Sequence, residues 1–264
     1  MFFDSHVHYW DRRFGSEWEG GAAALLSRLF SEGQITGVVN VGTNAATSRL
    51  AAEQAAPYPS MYFAAGLHPE DCRDAADLSA EYRAIEELLV GSGGKGVALG
   101  EIGLDYHYED GAPRARQIEV FCAQLELAQR MELPVIVHDR EAHGDCFDTV
   151  CRYPAVRGVF HSYSGSAEMA RDLCRRGWYI SFSGTVTFKN AARVREAAAA
   201  VPRDRLLIET DCPYLAPHPH RGELNHSGLL PYTAAAIAAI WNCSPEEVGR
   251  QTVENARRLF GIGR

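Results

Sequence analysis

The chain is 264 residues long, 46% hydrophobic and 23% charged, a composition that can bury a large globular core. Its net charge of −8 argues against a broad basic surface wrapped by duplex nucleic acid, but a phosphate-bearing substrate stays open because bound divalent cations invert a local field. Seven cysteines without a Cys-x-x-Cys pair, and no run of 18 apolar residues or targeting segment, lead us to expect a soluble cytoplasmic protein with reduced thiols and no membrane partner.

The first eight residues, Met1 to His8, have β character from Phe2, Phe3 and Val7. A polar and aromatic loop (10–19) precedes an Ala/Leu-rich helix near 22–30. A short apolar run over 36–42 reads as a second strand, and a helix over about 44–56 follows, stopped by Pro57. A third strand covers 61–67 and runs into Gly66-Leu67-His68-Pro69, then a loop, a helix near 78–89 and a glycine cluster at 91–96. The fourth strand, 96–102, delivers Glu101. A long helix over about 115–131 carries apolar residues at 118, 121, 122, 125 and 128.

The fifth strand ends on His138 and the sixth on His161, each followed by a helix, near 143–153 and after Ser166. The seventh covers 178–183, with a helix near 191–201, and the eighth runs over 205–211 to end on Asp211. A Pro/His-rich loop (212–227) and a helix near 231–241 come next. Ser244-Pro245-Glu246-Glu247 then opens the last helix as a capping box.

Eight β runs, each followed by a helical pattern without linker or repeat, imply parallel strands with right-handed crossovers. We expect an α/β fold, a (β/α)8 TIM-like barrel forming one domain over 1–264. An open doubly wound sheet is the alternative, but it would spread strands 1, 4, 5, 6 and 8 along an edge instead of gathering their ends around one mouth.

Those strand ends carry the chemistry. Side chains alternate along a strand, so His6 and His8 share a face about 7 Å apart, with Asp4 one step behind. Taken singly, a strand-terminal His or Asp often caps a helix or bonds a loop. Together, His6, His8, Glu101, His138, His161 and Asp211 form a mixed imidazole and carboxylate set suited to divalent ions.

The motifs resemble those of the TatD family of metal-dependent deoxyribonucleases, within the amidohydrolase-like barrel superfamily. The matching pieces are Asp4-Ser5-His6-Val7-His8, Gly66-Leu67-His68-Pro69, Gly100-Glu101-Ile102-Gly103-Leu104-Asp105, Pro134 to His138, His161 to Ser166, Glu209-Thr210-Asp211-Cys212-Pro213-Tyr214-Leu215 and Asn255 to Phe260. The resemblance implies two divalent ions, Mg, Mn or Zn. It places His6, His8 and Asp211 on one, His138 and His161 on the other, and Glu101 between them. Many barrels of the wider superfamily bridge their metals with a carbamylated lysine at the end of strand four. Lys95 and Lys189, the only lysines, lie away from the other ligands, so a carboxylate must bridge. Two loops depart from the family: the segment after Arg221-Gly222 lacks the usual proline after Asn225, and His138 is followed by Asp139-Arg140-Glu141.

The mechanism expected from this reading is hydrolysis by a metal-activated water, with Asp211 as general base and Glu101 bridging. Arg140 and Arg221 are candidate phosphate clamps, His68 a candidate donor to phosphate or leaving group, Glu209 and Asp105 supports of the ligand set. Tyr106, Tyr108, Trp10 and Phe188 could stack bases, although barrel-loop aromatics more often simply pack. The substrate expected is DNA or another phosphodiester, cut 3′ to 5′ from single strands or ends, and a monomer is compatible with this. A small-molecule amide, lactone or phosphoester is the alternative substrate, and a non-catalytic metal protein is disfavoured because all six ligands are present.

Overall fold

A computed structural model describes residues 1–73, 75 and 77–263. In chain order the elements are β1 (Phe2–Val7), α1 (Arg13–Glu17), α2 (Gly21–Ser31), β2 (Ile35–Val41), α3 (Ala45–Ala55), β3 (Met61–Ala65), α4 (Leu78–Val90), β4 (Gly96–Asp105) and α5 (Arg114–Met131). There follow β5 (Val135–Arg140), α6 (His143–Cys151), β6 (Gly158–Phe160), α7 (Ala167–Arg175), β7 (Tyr179–Phe182), α8 (Ala192–Ala200), β8 (Leu206–Ile208), α9 (Leu230–Trp241) and α10 (Pro245–Phe260).

The eight strands form one parallel sheet in sequence order. The seam between β1 and β8 is drawn together by Asp211 N–H donating to His6 O (3.0 Å), His8 N–H donating to Cys212 O (2.8 Å) and a bridge between Val7 and Cys212. This is a (β/α)8 barrel. One apolar cluster gathers Val39, Val41, Ala64, Ala98, Ile136, Val159 and Leu207 from the strands with Phe260 of α10, while a larger one packs the strands against the surrounding helices. Among the described residues no helix is long and apolar enough to cross a membrane. All seven cysteines are free.

Local chemistry fixes several boundaries. Asn44 accepts from Thr47 N–H while the Thr47 hydroxyl accepts from Asn44 N–H, a capping box that starts α3, and Ser244 and Glu247 do the same for α10. Several boundaries differ from expectation: β4 and β5 run on to Asp105 and Arg140, whereas β3 and β6 stop at Ala65 and Phe160, short of His68 and His161. The 10–19 stretch contains the short helix α1, seated by buried Phe14 rather than by a cap. The eighth strand, expected to run to Asp211, stops at Ile208, so Glu209 and Asp211 lie beyond it, and Asp211 takes a left-handed conformation (φ 57°).

Strands β1 and β4 each carry an irregularity where ligands leave them. Asp4 pairs with Val38 and Val7 with Asn40, so β1 spends one more residue than β2. Likewise Leu99 pairs with Val135 and Ile102 with Val137. Bulges of this kind re-aim side chains, and these two flank His6 and Glu101.

Candidate metal centre

His6 and Glu101 are buried at the mouth of the barrel, 0 and 3% exposed, with His8, His161 and His138 around them. Glu101 divides its two oxygens between two groups. Its Oε2 lies 3.3 Å from His6 Nε2 and 3.7 Å from His8 Nε2. Its Oε1 lies 2.8 Å from His138 Nδ1 and 2.7 Å from His161 Nε2. Asp211 Oδ1 completes the first group, 3.3 Å from His8 Nε2 and 3.8 Å from His6 Nε2. The six sequence-predicted ligands are thus brought together.

The ring nitrogens test whether the site fits metal ions. His6 Nε2 faces His8 Nε2 at 3.0 Å, and His138 Nδ1 faces His161 Nε2 at 3.3 Å. Two donors about 2.1 Å from one ion and roughly 90–110° apart are separated by about 3.0–3.4 Å, so both pairs have the spacing of co-ligands. The far side of three rings is tied to an acceptor: His8 Nδ1 to Val41 O (2.8 Å), His138 Nε2 to Asp105 Oδ2 (2.9 Å) and His161 Nδ1 to Glu209 Oε1 (3.2 Å). A proton held on that side leaves the inward nitrogen as a lone pair, the tautomer a metal ligand needs. The donor set fits divalent ions.

The mutual contacts shift the acidities of the centre in different directions. Burial alone would raise Glu101, but His161, His6 and His68 and a hydrogen bond from His138 hold its carboxyl well below the usual range. Burial opposes a proton on His138, yet bonds to Asp105 and Glu101 lift it to about 9. His161 is raised against burial by Glu101 and Glu209. His68 goes the other way, pushed down to about 3 by burial and by neighbouring His138.

The supporting shell contains residues that sequence reasoning left out. Asp4 accepts from Thr210 N–H (2.9 Å), the Thr210 hydroxyl (2.7 Å) and the Ser227 hydroxyl (2.7 Å), so it holds the Asp211 turn instead of facing the centre. Asn225 Nδ2 donates to Thr210 O (2.8 Å) and fixes the same turn. On α5, Gln117 exchanges two hydrogen bonds with the Asp105 backbone and Gln124 two with Leu67, placing Asp105 and the segment that bears His68. The signal was present: both glutamines lie at i, i+7 on the buried face of α5, where an amide needs a partner. Gly103 is required by the same geometry, since at φ +142° an added Cβ would meet His138 O at 2.0 Å.

A cavity of about 460 Å³ opens above the centre, and His68, Trp10, Tyr108, Arg140 and Tyr214 line it with every candidate ligand except the fully buried His6. Arg140 donates to the Tyr108 hydroxyl (3.3 Å) and stacks on that ring, with its guanidinium exposed. Arg221 does not line this cavity; its guanidinium sits 3.8 Å from the centre of the Phe188 ring, outside the wall. Tyr106 is likewise turned away, its hydroxyl donating to Asp145 (2.7 Å).

Residues 3–261 match the family model for TatD-related DNases. A metal-dependent hydrolase of Bacillus subtilis, YabD, is 41% identical over 99% of this chain and 100% of its own length, and the Mycobacterium tuberculosis metal-dependent hydrolase TatD is 37% identical over 98% of each. Both are described as uncharacterized. The crystal structure of YJJV, a TatD homologue from Escherichia coli, superposes with a TM-score of 0.88 at 27% identity, covering 99% of this chain and 98% of that one. With its barrel and its convergent imidazoles and carboxylates, the chain belongs to the TatD-related DNase family and is a metal-dependent hydrolase.

Proposed function

We propose that the whole chain, 1–264, acts as one cytoplasmic hydrolase that cleaves phosphodiester bonds of DNA from a 3′ end. The observation that carries the reading is the split of Glu101 between the His6/His8 and His138/His161 pairs, beside a cavity that Arg140 enters from the rim. His6, His8 and Asp211 would hold one divalent ion, His138 and His161 a second, with Glu101 between. Bound ions of this type, Mg, Mn or Zn, acidify water and polarise a phosphoryl oxygen.

The chain's own groups do the rest. Burial works against ionisation of Asp211, but the hydrogen bond from His8 and the neighbouring His161 and His6 hold its carboxyl below the usual range. It is therefore ionised at neutral pH and able to take a proton from water as general base. Arg140 is suited to a phosphate because a guanidinium binds it bidentately, and Tyr108 braces it from below. Trp10 and Tyr214 offer ring surface at the same mouth. An acidic protein suits a strand gripped by its end better than one enveloped along its length.

Linear and circular single-stranded DNA of the same sequence separate the readings. Degradation of the linear form alone supports end-directed cleavage. Cleavage of both rejects the exonuclease mode. Cleavage of neither, by protein that hydrolyses an amide, lactone or small phosphoester, rejects DNA as the substrate.

A further inference from the structure

His68 lies within ligand distance of the centre, its Nε2 3.6 Å from Glu101 Oε1 and its ring packed edge-on against His138 at 4.4 Å between centroids. With Glu101 and His138 it forms a trio of donor atoms close enough to hold an ion. The opposite side of its ring argues otherwise. In His8, His138 and His161 the outward nitrogen meets a carbonyl or carboxylate oxygen, which accepts a proton from the ring. In His68 the outward nitrogen, Nδ1, meets the backbone N–H of Glu70 at 3.2 Å. An N–H can only donate, so Nδ1 must present its lone pair, and a neutral ring then carries its proton on Nε2.

The backbone enforces this arrangement. Asp71 N–H and Cys72 N–H both donate to His68 O (3.0 and 3.1 Å), and Pro69 stiffens the turn, so the Glu70 amide is held over the ring. Turning the ring over would set a carbon against that amide and strand a donor.

We propose that His68 is locked by the Glu70 amide as the Nε2–H tautomer, and serves as a neutral hydrogen-bond donor to an oxygen of the scissile phosphodiester, not as a metal ligand. Its target rests on the phosphodiester reading above; its tautomer does not. A neutral donor fixed before the substrate arrives stabilises charge that develops on oxygen without a proton having to be taken up first.

The test is long-range proton–nitrogen NMR on the full chain labelled with ¹⁵N-histidine, recorded without metal and with Mg²⁺, His68 being assigned by its loss in His68→Gln. The inference predicts a protonated Nε2 and a bare Nδ1 in both states. A protonated Nδ1, or an Nε2 that becomes a metal-bound lone pair when Mg²⁺ is added, overturns it. Calorimetric titration with Mn²⁺ gives a second reading: His68→Gln and His68→Ala should keep the wild-type stoichiometry and affinity, whereas loss of an ion or tenfold weaker binding overturns the inference. On DNA, His68→Ala should lose about 10²-fold in kcat, the cost of removing one such donor, and His68→Gln should recover part of it by returning an N–H near the same place. If wild-type protein cleaves no DNA while the tautomer is as predicted, the substrate reading fails. If it cleaves DNA and His68 carries its proton on Nδ1, this inference alone fails.

Discussion

His138 is held from both sides by carboxylates: its Nε2 lies 2.9 Å from Asp105 Oδ2 and its Nδ1 2.8 Å from Glu101 Oε1. The outer contact decides which nitrogen faces inward, and Asp105 is itself anchored: its Oδ1 accepts from His107 N–H (2.9 Å), its N–H donates to Gln117 Oε1 and its carbonyl accepts from Gln117 Nε2. Replacing Asp105 by Asn removes the negative charge and half of the acceptor capacity while keeping the shape. Affinity at the His138 side should fall about 10–100-fold, the usual cost of losing such a partner, with the circular dichroism spectrum unchanged. Calorimetric Mn²⁺ titration of Asp105→Asn checks this; wild-type affinity would show that Asp105 does not orient the ring.

Removing a ligand should separate activity from folding. His6→Ala and Asp211→Ala are expected to abolish hydrolysis and leave a folded barrel, because the strands pair through backbone bonds and the apolar clusters that hold them exclude both side chains. Activity surviving in either variant, with unfolding monitored in parallel, would overturn the ligand assignment.

Asp4 tests the support of the Asp211 turn. Its carboxylate takes three buried donors from Thr210 and Ser227, and Ser227 in turn accepts from the Tyr9 hydroxyl (2.8 Å). Asp4→Ala strands those donors and should cost on the order of 3 kcal/mol of stability, since an unpaired buried polar group costs about 1–3 kcal/mol and the three are coupled. Asp4→Asn, with one accepting oxygen left, should cost less. Urea unfolding of both variants gives the comparison.

His226 gives a pH dependence away from the metal centre. Burial, with Arg28 and His220 nearby, lowers it from 6.5 to about 4 in the folded chain, and its Nδ1 accepts from Gly228 N–H (3.1 Å). The unfolded chain therefore binds a proton below pH 6.5 that the folded chain refuses until about pH 4. The stability His226 supports is present above pH 6.5 and is lost as pH falls through that window. His226→Asn keeps an acceptor for Gly228 but cannot titrate. Its urea midpoint should fall less between pH 7 and pH 5 than that of the wild type under the same metal buffer; equal falls would contradict the assignment.

Much of this was legible because barrel strands print themselves as short apolar runs, and because their ends carry residue types that have no reason to sit there together. The strand ends that carry the six donors, and the helix starts near Asn44 and at Ser244, could be read from the sequence, while the division of those donors between two ions was implied only by the family resemblance. What spacing could not reveal was where side chains turn once a strand ends or bulges. Asp4 has the parity of His6, yet it reaches Thr210 and Ser227 across the seam, a contact made across more than 200 residues of chain. Arg221 follows a family-like pattern but finds the Phe188 ring, a partner only the fold supplies. Gln117 and Gln124 act on two backbone segments that α5 meets only in three dimensions.

The most direct test of the account is hydrolysis of a 5′-labelled single-stranded DNA oligonucleotide with Mg²⁺ or Mn²⁺, and again with chelator. The account predicts a ladder that shortens from the 3′ end and disappears when the metal is removed. No cleavage with either metal by folded protein, or a ladder that persists in chelator, would contradict it.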